Sequence, residues 1–131
     1  MLNNLARIGG LENHPEFDLI GMEEPYCYRN KAQFPFGTDK NGEIVTGFYA
    51  GRTHSIISNT KCYLGVEENE QILEIILAHL KKYNIPAYDE QTGKGLLRHV
   101  LIRKGFTTKE LMVCLILNGT RMPEVNELVE Q

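Results

Sequence analysis

What the chain lacks narrows its class first. It has no surplus of positive charge: 14 Lys and Arg stand against 17 Asp and Glu, a formal net charge of −3. That balance excludes a strongly basic nucleic-acid module and leaves any affinity for a polyanion to a local patch. No apolar run approaches the ~20 residues of a membrane span, and the opening segment MLNNLARIGG holds no apolar signal-peptide core. A soluble, cytoplasmic protein without a membrane partner is expected. Cysteine is scarce and odd in number: Cys27, Cys62 and Cys114 are far apart in the chain, which fits a reducing compartment and offers no disulfide framework. The histidines at 14, 54, 79 and 99 never fall at ligand spacing with a cysteine or with one another, so a zinc site has little support. Phosphate loops are missing too. Gly93-Lys94-Gly95 lacks the upstream Gly and the following Ser or Thr of a Walker A element, and no G-x-G-x-x-G follows a strand, so no nucleotide-type cofactor loop is visible. There is no internal repeat or low-complexity tract.

What is present suits one modest domain: 131 residues, 42% of them apolar. The most informative stretch is Pro25 to Phe36, PYCYRNKAQFPF. Read as a strand, one face carries Tyr28, Ala32, Phe34 and Phe36, and the other carries Arg29, Lys31 and Gln33. The first set can cover a core. The second presents two cations and an amide in a row, either to ordinary solvent or to an anion such as a polyphosphate backbone.

In chain order, Leu2, Leu5 and Ile8 at helical spacing with Gly9-Gly10 as a stop predict the end of a helix. A connector follows to Glu24, with one short strand over 17–20. After the Tyr28–Phe36 strand, the Asn41-Gly42 turn and the β-rich run from Glu43 to Ala50 predict a β-hairpin, and Ser55 to Ser58 a third short strand. Ile72, Ile75, Ile76 and Leu80, widened by Leu73 and Leu77, predict a long amphipathic helix from an Asn69 cap to about Tyr83, closed by Asn84 and Pro86. The glycine-rich segment from Asp89 to Gly95 reads as an exposed loop. Leu96 to Phe106 and the apolar run Leu111 to Leu117 predict a second hairpin, the latter as a central strand. Pro123 and Glu124 start a last helix, with Val125, Leu128 and Val129 as its apolar face. The expected architecture is α+β: a predominantly antiparallel sheet from two hairpins joined by the long helix, with helices on one face.

Arg98, His99 and Arg103 form a second cationic cluster. If both hairpins share one sheet, part of it could line one face with Arg29, Lys31 and Gln33, where arginine suits bidentate phosphate contact. The competing reading is that these arginines pair with the many carboxylates of an acidic chain. Cys114, inside an apolar run, reads as a core residue, and Cys27 has no adjacent base to activate it.

Tyr28-Arg29-Asn30-Lys31-Ala32-Gln33-Phe34 resembles the YRNKAQF motif in the central domain of the S-adenosylmethionine-dependent RNA uracil-5-methyltransferases, which make 5-methyluridine in ribosomal and transfer RNA. Arg7-Ile8-Gly9-Gly10, Gly47-Phe48-Tyr49, Ala87-Tyr88-Asp89-Glu90, Gly95-Leu96-Leu97-Arg98-His99 and Asn118-Gly119 agree with that family in order. The match runs nearly end to end but covers only the middle of such an enzyme. The chain therefore looks like a fragment: residues 1–24 the end of a helix plus a connector, and 25–131 a central α+β domain truncated within a C-terminal helix. The resemblance implies the RNA-contacting domain of a 23S rRNA (uracil-5-)-methyltransferase-like enzyme, with Arg29, Lys31, Gln33, Arg98, His99 and Arg103 as its RNA-binding residues. It also implies a parent that uses S-adenosylmethionine and a nucleophile, base and cofactor loop in a domain beyond Gln131. No catalytic or cofactor-binding residue is then expected here, and the segment alone should be inactive and bind RNA weakly. Many members carry three clustered cysteines before this domain and a fourth after its first hairpin, a set resembling [4Fe-4S] ligands. Cys62 stands at the fourth position, although Tyr63 follows where Pro is common. Orphan cluster ligand and plain thiol both stay open. The alternative function is a self-sufficient, non-catalytic RNA-binding or protein-interaction module.

Overall fold

The computed structural model describes residues 2–11, 18 and 20–131. Helix α1 (Leu2–Arg7) stops as expected, with Gly10 at φ +64°. The short strand expected over 17–20 falls largely outside the described residues.

Strand β1 (Lys31–Thr38) alternates as its sequence requires, with Phe34 and Phe36 buried on one side and Lys31 and Gln33 exposed on the other. Strands β2 (Ile44–Tyr49) and β3 (Ile56–Ser58) follow it, then β4 (Leu97–Lys104) and β5 (Leu111–Leu117). All five form one antiparallel sheet in the order β3-β2-β1-β4-β5. The first turn is held by Asp39, whose carboxylate accepts from the backbone N–H of Asn41 and of Glu43 at 2.8 and 2.9 Å, and Gly42 takes the left-handed conformation.

Proline in a central strand needs an explanation, because it cannot donate to a ladder. Pro35 sits where β1 hands over from pairing with β4 (Lys31 to Pro35) to pairing with β2 (Phe36 to Thr38), and its carbonyl accepts from the buried hydroxyl of Thr46 at 2.9 Å.

Helix α2 (Glu68–Lys82) crosses between the hairpins and lays Leu73, Ile76 and Leu80 on Phe34, Phe36, Val100 and Ile102 of the sheet. Its C-terminus closes through left-handed Asn84, with the N–H of Asn84 on the Lys81 carbonyl and that of Ile85 on the Leu80 carbonyl. This is the Schellman arrangement, completed by burial of Leu80 and Ile85 in the core. Helix α3 (Val125–Val129) rests on α2: the His79 ring meets the Pro123 carbonyl at 3.0 Å, and Lys82 and Tyr83 both bond Glu127.

Five expectations are corrected. The helix begins at Glu68, so Asn69 is not its cap; Asn69 lies inside the first turn, buried. Tyr28 does not cover the core, because β1 starts only at Lys31 and Tyr28 stays exposed. Of the α3 residues, Leu128 packs on the core, whereas Val125 and Val129 are exposed, since the helix is barely more than one turn. Strand β5 is an edge strand, not a central one, and its apolar residues Leu111, Met112 and Val113 are exposed. For the same reason Cys114 is exposed rather than part of the core.

Candidate nucleic-acid interface

The β1–β4 register decides which of the anticipated residues meet. Directly opposed residues of an antiparallel pair share a face, and Lys31 stands opposite Arg103, Gln33 opposite Leu101, and Pro35 opposite His99. Lys31, Gln33, His99 and Arg103 therefore lie on the sheet face opposite α2, as the sequence anticipates for one shared face. Directly paired residues have Cβ atoms about 4.5–5.5 Å apart, and like charges so placed repel. Among the described residues no ion pair relieves this pair. Among the described residues the ion pairs are His54–Glu90, Lys61–Glu70, Lys82–Glu127 and Lys104–Glu68, and none contains Arg29, Lys31, Arg98 or Arg103. At ion-pair distance the reading in which surface carboxylates absorb these cations finds no support there, although Arg98 stands near enough to Glu90 to help hold its carboxyl down.

Arg98 joins the face through an irregularity. The β4–β5 register slips between Leu97 and His99, so Leu97 faces the core while the extra residue is absorbed at Arg98. The Arg98 guanidinium lies over the Tyr88 ring at 4.5 Å, and its Nε is buried without a partner. Arg29 is placed differently. It lies outside β1 in an isolated parallel bridge with Gly65, exposed but off the ladder that carries Lys31.

Beside His99 the fold assembles side chains that the sequence offers no reason to group. The Tyr49 hydroxyl lies 3.4 Å from His99 Nε2 and 3.5 Å from a Glu90 oxygen, and His54 Nδ1 meets the other Glu90 oxygen at 2.6 Å. The hydrogen bond from His54 holds the Glu90 carboxyl below its ordinary value. Burial, reinforced by the Glu90 charge, pushes the Tyr49 hydroxyl up. His99 is pushed down by burial and by the Arg98 charge. Both effects favour the neutral ring over the imidazolium. An NMR titration of the His99 ring should give a midpoint below 6.5. Its sign follows from proton binding: the unfolded chain binds the proton more readily, so this contribution to stability is complete above the unfolded value and is lost as pH falls through the folded midpoint. A midpoint at or above 6.5 would contradict the burial of this ring.

The Asp89–Gly95 loop carries Glu90 and is rigidly tied. Asp89 accepts from the Gln91 N–H at 2.9 Å and the Thr92 hydroxyl at 2.7 Å, and the Asn118 amide donates to the carbonyls of Gly93 and Gly95.

Cys62 lines a separate cleft of about 440 Å³ together with Cys27, Lys61, Gly65 and Asn69. Cys27 is in the left-handed region at φ +51°, and both polar atoms of the Asn69 side chain are buried there without partners. An iron-sulfur cluster needs four thiolates or comparable ligands. Among the described residues no group of three or more His, Cys, Asp or Glu could hold a metal ion, so those residues do not by themselves supply a cluster's ligand set. Among the described residues every strand pair of the sheet is antiparallel, so no parallel strand feeds a glycine loop of the S-adenosylmethionine-binding kind there.

No protein-family model matches the chain. A Clostridium tetani protein described as an uncharacterized RNA methyltransferase is 39% identical over 127 residues, which are 97% of this chain and 27% of that protein. Proteins of the same description from Staphylococcus aureus and Oceanobacillus iheyensis are 34% and 36% identical, over 100% and 98% of this chain and 29% and 28% of theirs. The chain thus spans less than a third of the length of these relatives. Among solved structures, the Pyrococcus abyssi tRNA (uracil-54, C5)-methyltransferase in complex with S-adenosyl-L-homocysteine superimposes with a TM-score of 0.76 over 96% of this chain and 29% of that one. At 19% identity, that likeness shows a shared fold.

Proposed function

We propose that this chain, homologous along its whole length to one segment of bacterial RNA methyltransferases, is the RNA-contacting domain of an enzyme that methylates carbon 5 of a uridine. The observation that carries the RNA contact is the Lys31–Arg103 pair, two cations directly opposed on an exposed sheet face with no carboxylate between them among the described residues. Such a pair costs stability in the free protein and is relieved by a phosphate. The methyl donor of the whole enzyme is S-adenosylmethionine, held by residues outside this segment. Its substrate is a ribosomal RNA of the 23S type, supported by the likeness of Tyr28 to Phe34 to that branch. The segment alone transfers no methyl group. Cys62 is a cluster ligand only if three further thiolates come from elsewhere in the longer protein.

Salt dependence of binding to single-stranded RNA tests this reading. Four phosphate contacts, by Arg29, Lys31, Arg98 and Arg103, give a log–log slope of about −3, and losing two of them should bring it to about −1.4. The double variant K31E/R103E is therefore expected to bind more weakly and with the shallower slope. A flat response from the unaltered chain would remove RNA from consideration and leave the exposed apolar edge of β5 as the main clue, in favour of a protein-interaction module.

A further inference from the structure

The outer sheet face is not uniform. At one end stand Lys31 and Arg103; four residues back along β4 stands His99, roughly 13 Å away at strand rise. That far end is aromatic, and it contains a carboxylate. Glu90 would repel a phosphate, whereas it can accept from the N–H groups of a nucleobase. Tyr49 is 42% exposed, and its ring stands beside two imidazoles, 5.3 Å from the His54 centroid and 6.5 Å from that of His99, the latter in an edge-on arrangement. The hydroxyl tethers to Glu90 and His99 fix that ring's orientation. Arg98 adds a second planar group, pre-stacked on Tyr88.

We propose that Tyr49 and His99 form a stacking subsite for one unpaired base of a single-stranded RNA whose backbone is held by Lys31 and Arg103. The inference rests on the reading of this face as an RNA interface and deepens it by dividing the face into a phosphate end and a base end. The division follows from charge: among the described residues Lys31 and Arg103 have no carboxylate partner at one end, whereas at the other the Arg98 cation is offset by the neighbouring Glu90 carboxylate beside the Tyr49 and His99 rings. An antiparallel sheet that presents aromatic rings among cations is a physically sound platform for single strands, because every base offers a π-face and stacking needs no particular sequence. The 13 Å separation exceeds one base-stacking step of about 3.4 Å, so the two ends engage different nucleotides of one strand.

The test compares the affinity of the full 131-residue chain for a short oligouridylate and for an abasic oligomer of equal length, by fluorescence anisotropy at fixed salt. The unaltered chain should bind the oligouridylate more tightly. Y49L should weaken oligouridylate binding by about tenfold, the scale of one lost stack, and leave the abasic oligomer and the salt slope unchanged. Y49F, which keeps the ring and loses the hydroxyl, should retain most of the preference, and matched denaturation midpoints establish that both variants fold. Equal weakening of both oligomers by Y49L, or no weakening of either, overturns the stacking subsite. Binding of both oligomers with the expected salt slope but no preference between them also overturns it while leaving the RNA interface standing. Failure of the unaltered chain to bind either oligomer overturns both.

Discussion

Replacing Phe34 by Ala is expected to cost about 3–5 kcal/mol, the scale of a buried aromatic lost from a packed core. Phe34 is fully buried at the centre of the middle strand, in tilted contact with the Phe48 ring at 5.4 Å and surrounded by Leu73, Leu80 and Val100 of the same core. The backbone at Phe34 is paired with Val100 of β4, so it cannot close into the space without breaking that ladder. Set against a typical total of about 5–15 kcal/mol for a domain, the loss should lower the melting temperature by roughly 12–20 °C, at about 4 °C per kcal/mol for a chain of this size. Thermal denaturation followed by circular dichroism measures it, with Ile57→Ala as the comparison. Ile57 is 58% exposed on the short strand β3, so its loss should stay within about 0.5 kcal/mol. If the two variants melt together, the core is not where the packing places it. The consequence reaches the candidate site, since Phe34 lies between Gln33 and Pro35 and its burial fixes the register that sets Lys31 opposite Arg103.

That register is the step at which reading the chain from its residues stops being sufficient. The hairpin around Asn41-Gly42, the stripe of α2 and its closure at Asn84 follow from local chemistry, and each is found where turn residues and periodicity put it. The inward face of β1 is likewise legible, because Ala32, Phe34 and Phe36 alternate with polar neighbours. Strand β5 is not. An apolar run such as Leu111 to Leu117 carries no mark of how many neighbours it has, and only the strand order shows that one side of it is unpaired. The same limit hid Tyr49, His54 and Glu90. They come from β2, the following turn and a loop more than thirty residues on, and meet only because β4 pairs with β1 and slips register at Arg98. His99 was legible as part of the face, but not the downward push on its protonation, which comes from burial and from the guanidinium that the bulge brings beside it.

Two glycines in the loop that carries Glu90 offer a sharper experiment than any side-chain truncation. Both Gly93 and Gly95 occupy left-handed backbone, at φ +68° and +93°, so an added methyl strains either one. Their surroundings differ. A Cβ on Gly93 meets nothing within 4 Å, whereas a Cβ on Gly95 would lie 2.0 Å from the Ala87 carbonyl oxygen and 2.8 Å from the Tyr88 Cα. Backbone cannot step aside as a flexible side chain can, and this backbone is tied: the N–H of Tyr88 bonds the Leu97 carbonyl at 2.9 Å and that of Leu96 bonds the Pro86 carbonyl at 2.8 Å. Gly93→Ala should therefore cost about 1 kcal/mol, the conformational strain alone. Gly95→Ala should cost several times as much, because it adds the clash and pries the 87–95 segment off β4. The damage should spread to the site, since that segment carries both Tyr88, on which Arg98 stacks, and Glu90, which holds His54 and Tyr49. Urea denaturation of the two variants separates strain from clash. Equal costs would mean that the close approach of Gly95 to Ala87 does not exist in solution. A large cost confined to Gly95, with the His99 ring midpoint shifted in the same variant, would show that this one close backbone contact positions the aromatic end of the sheet face.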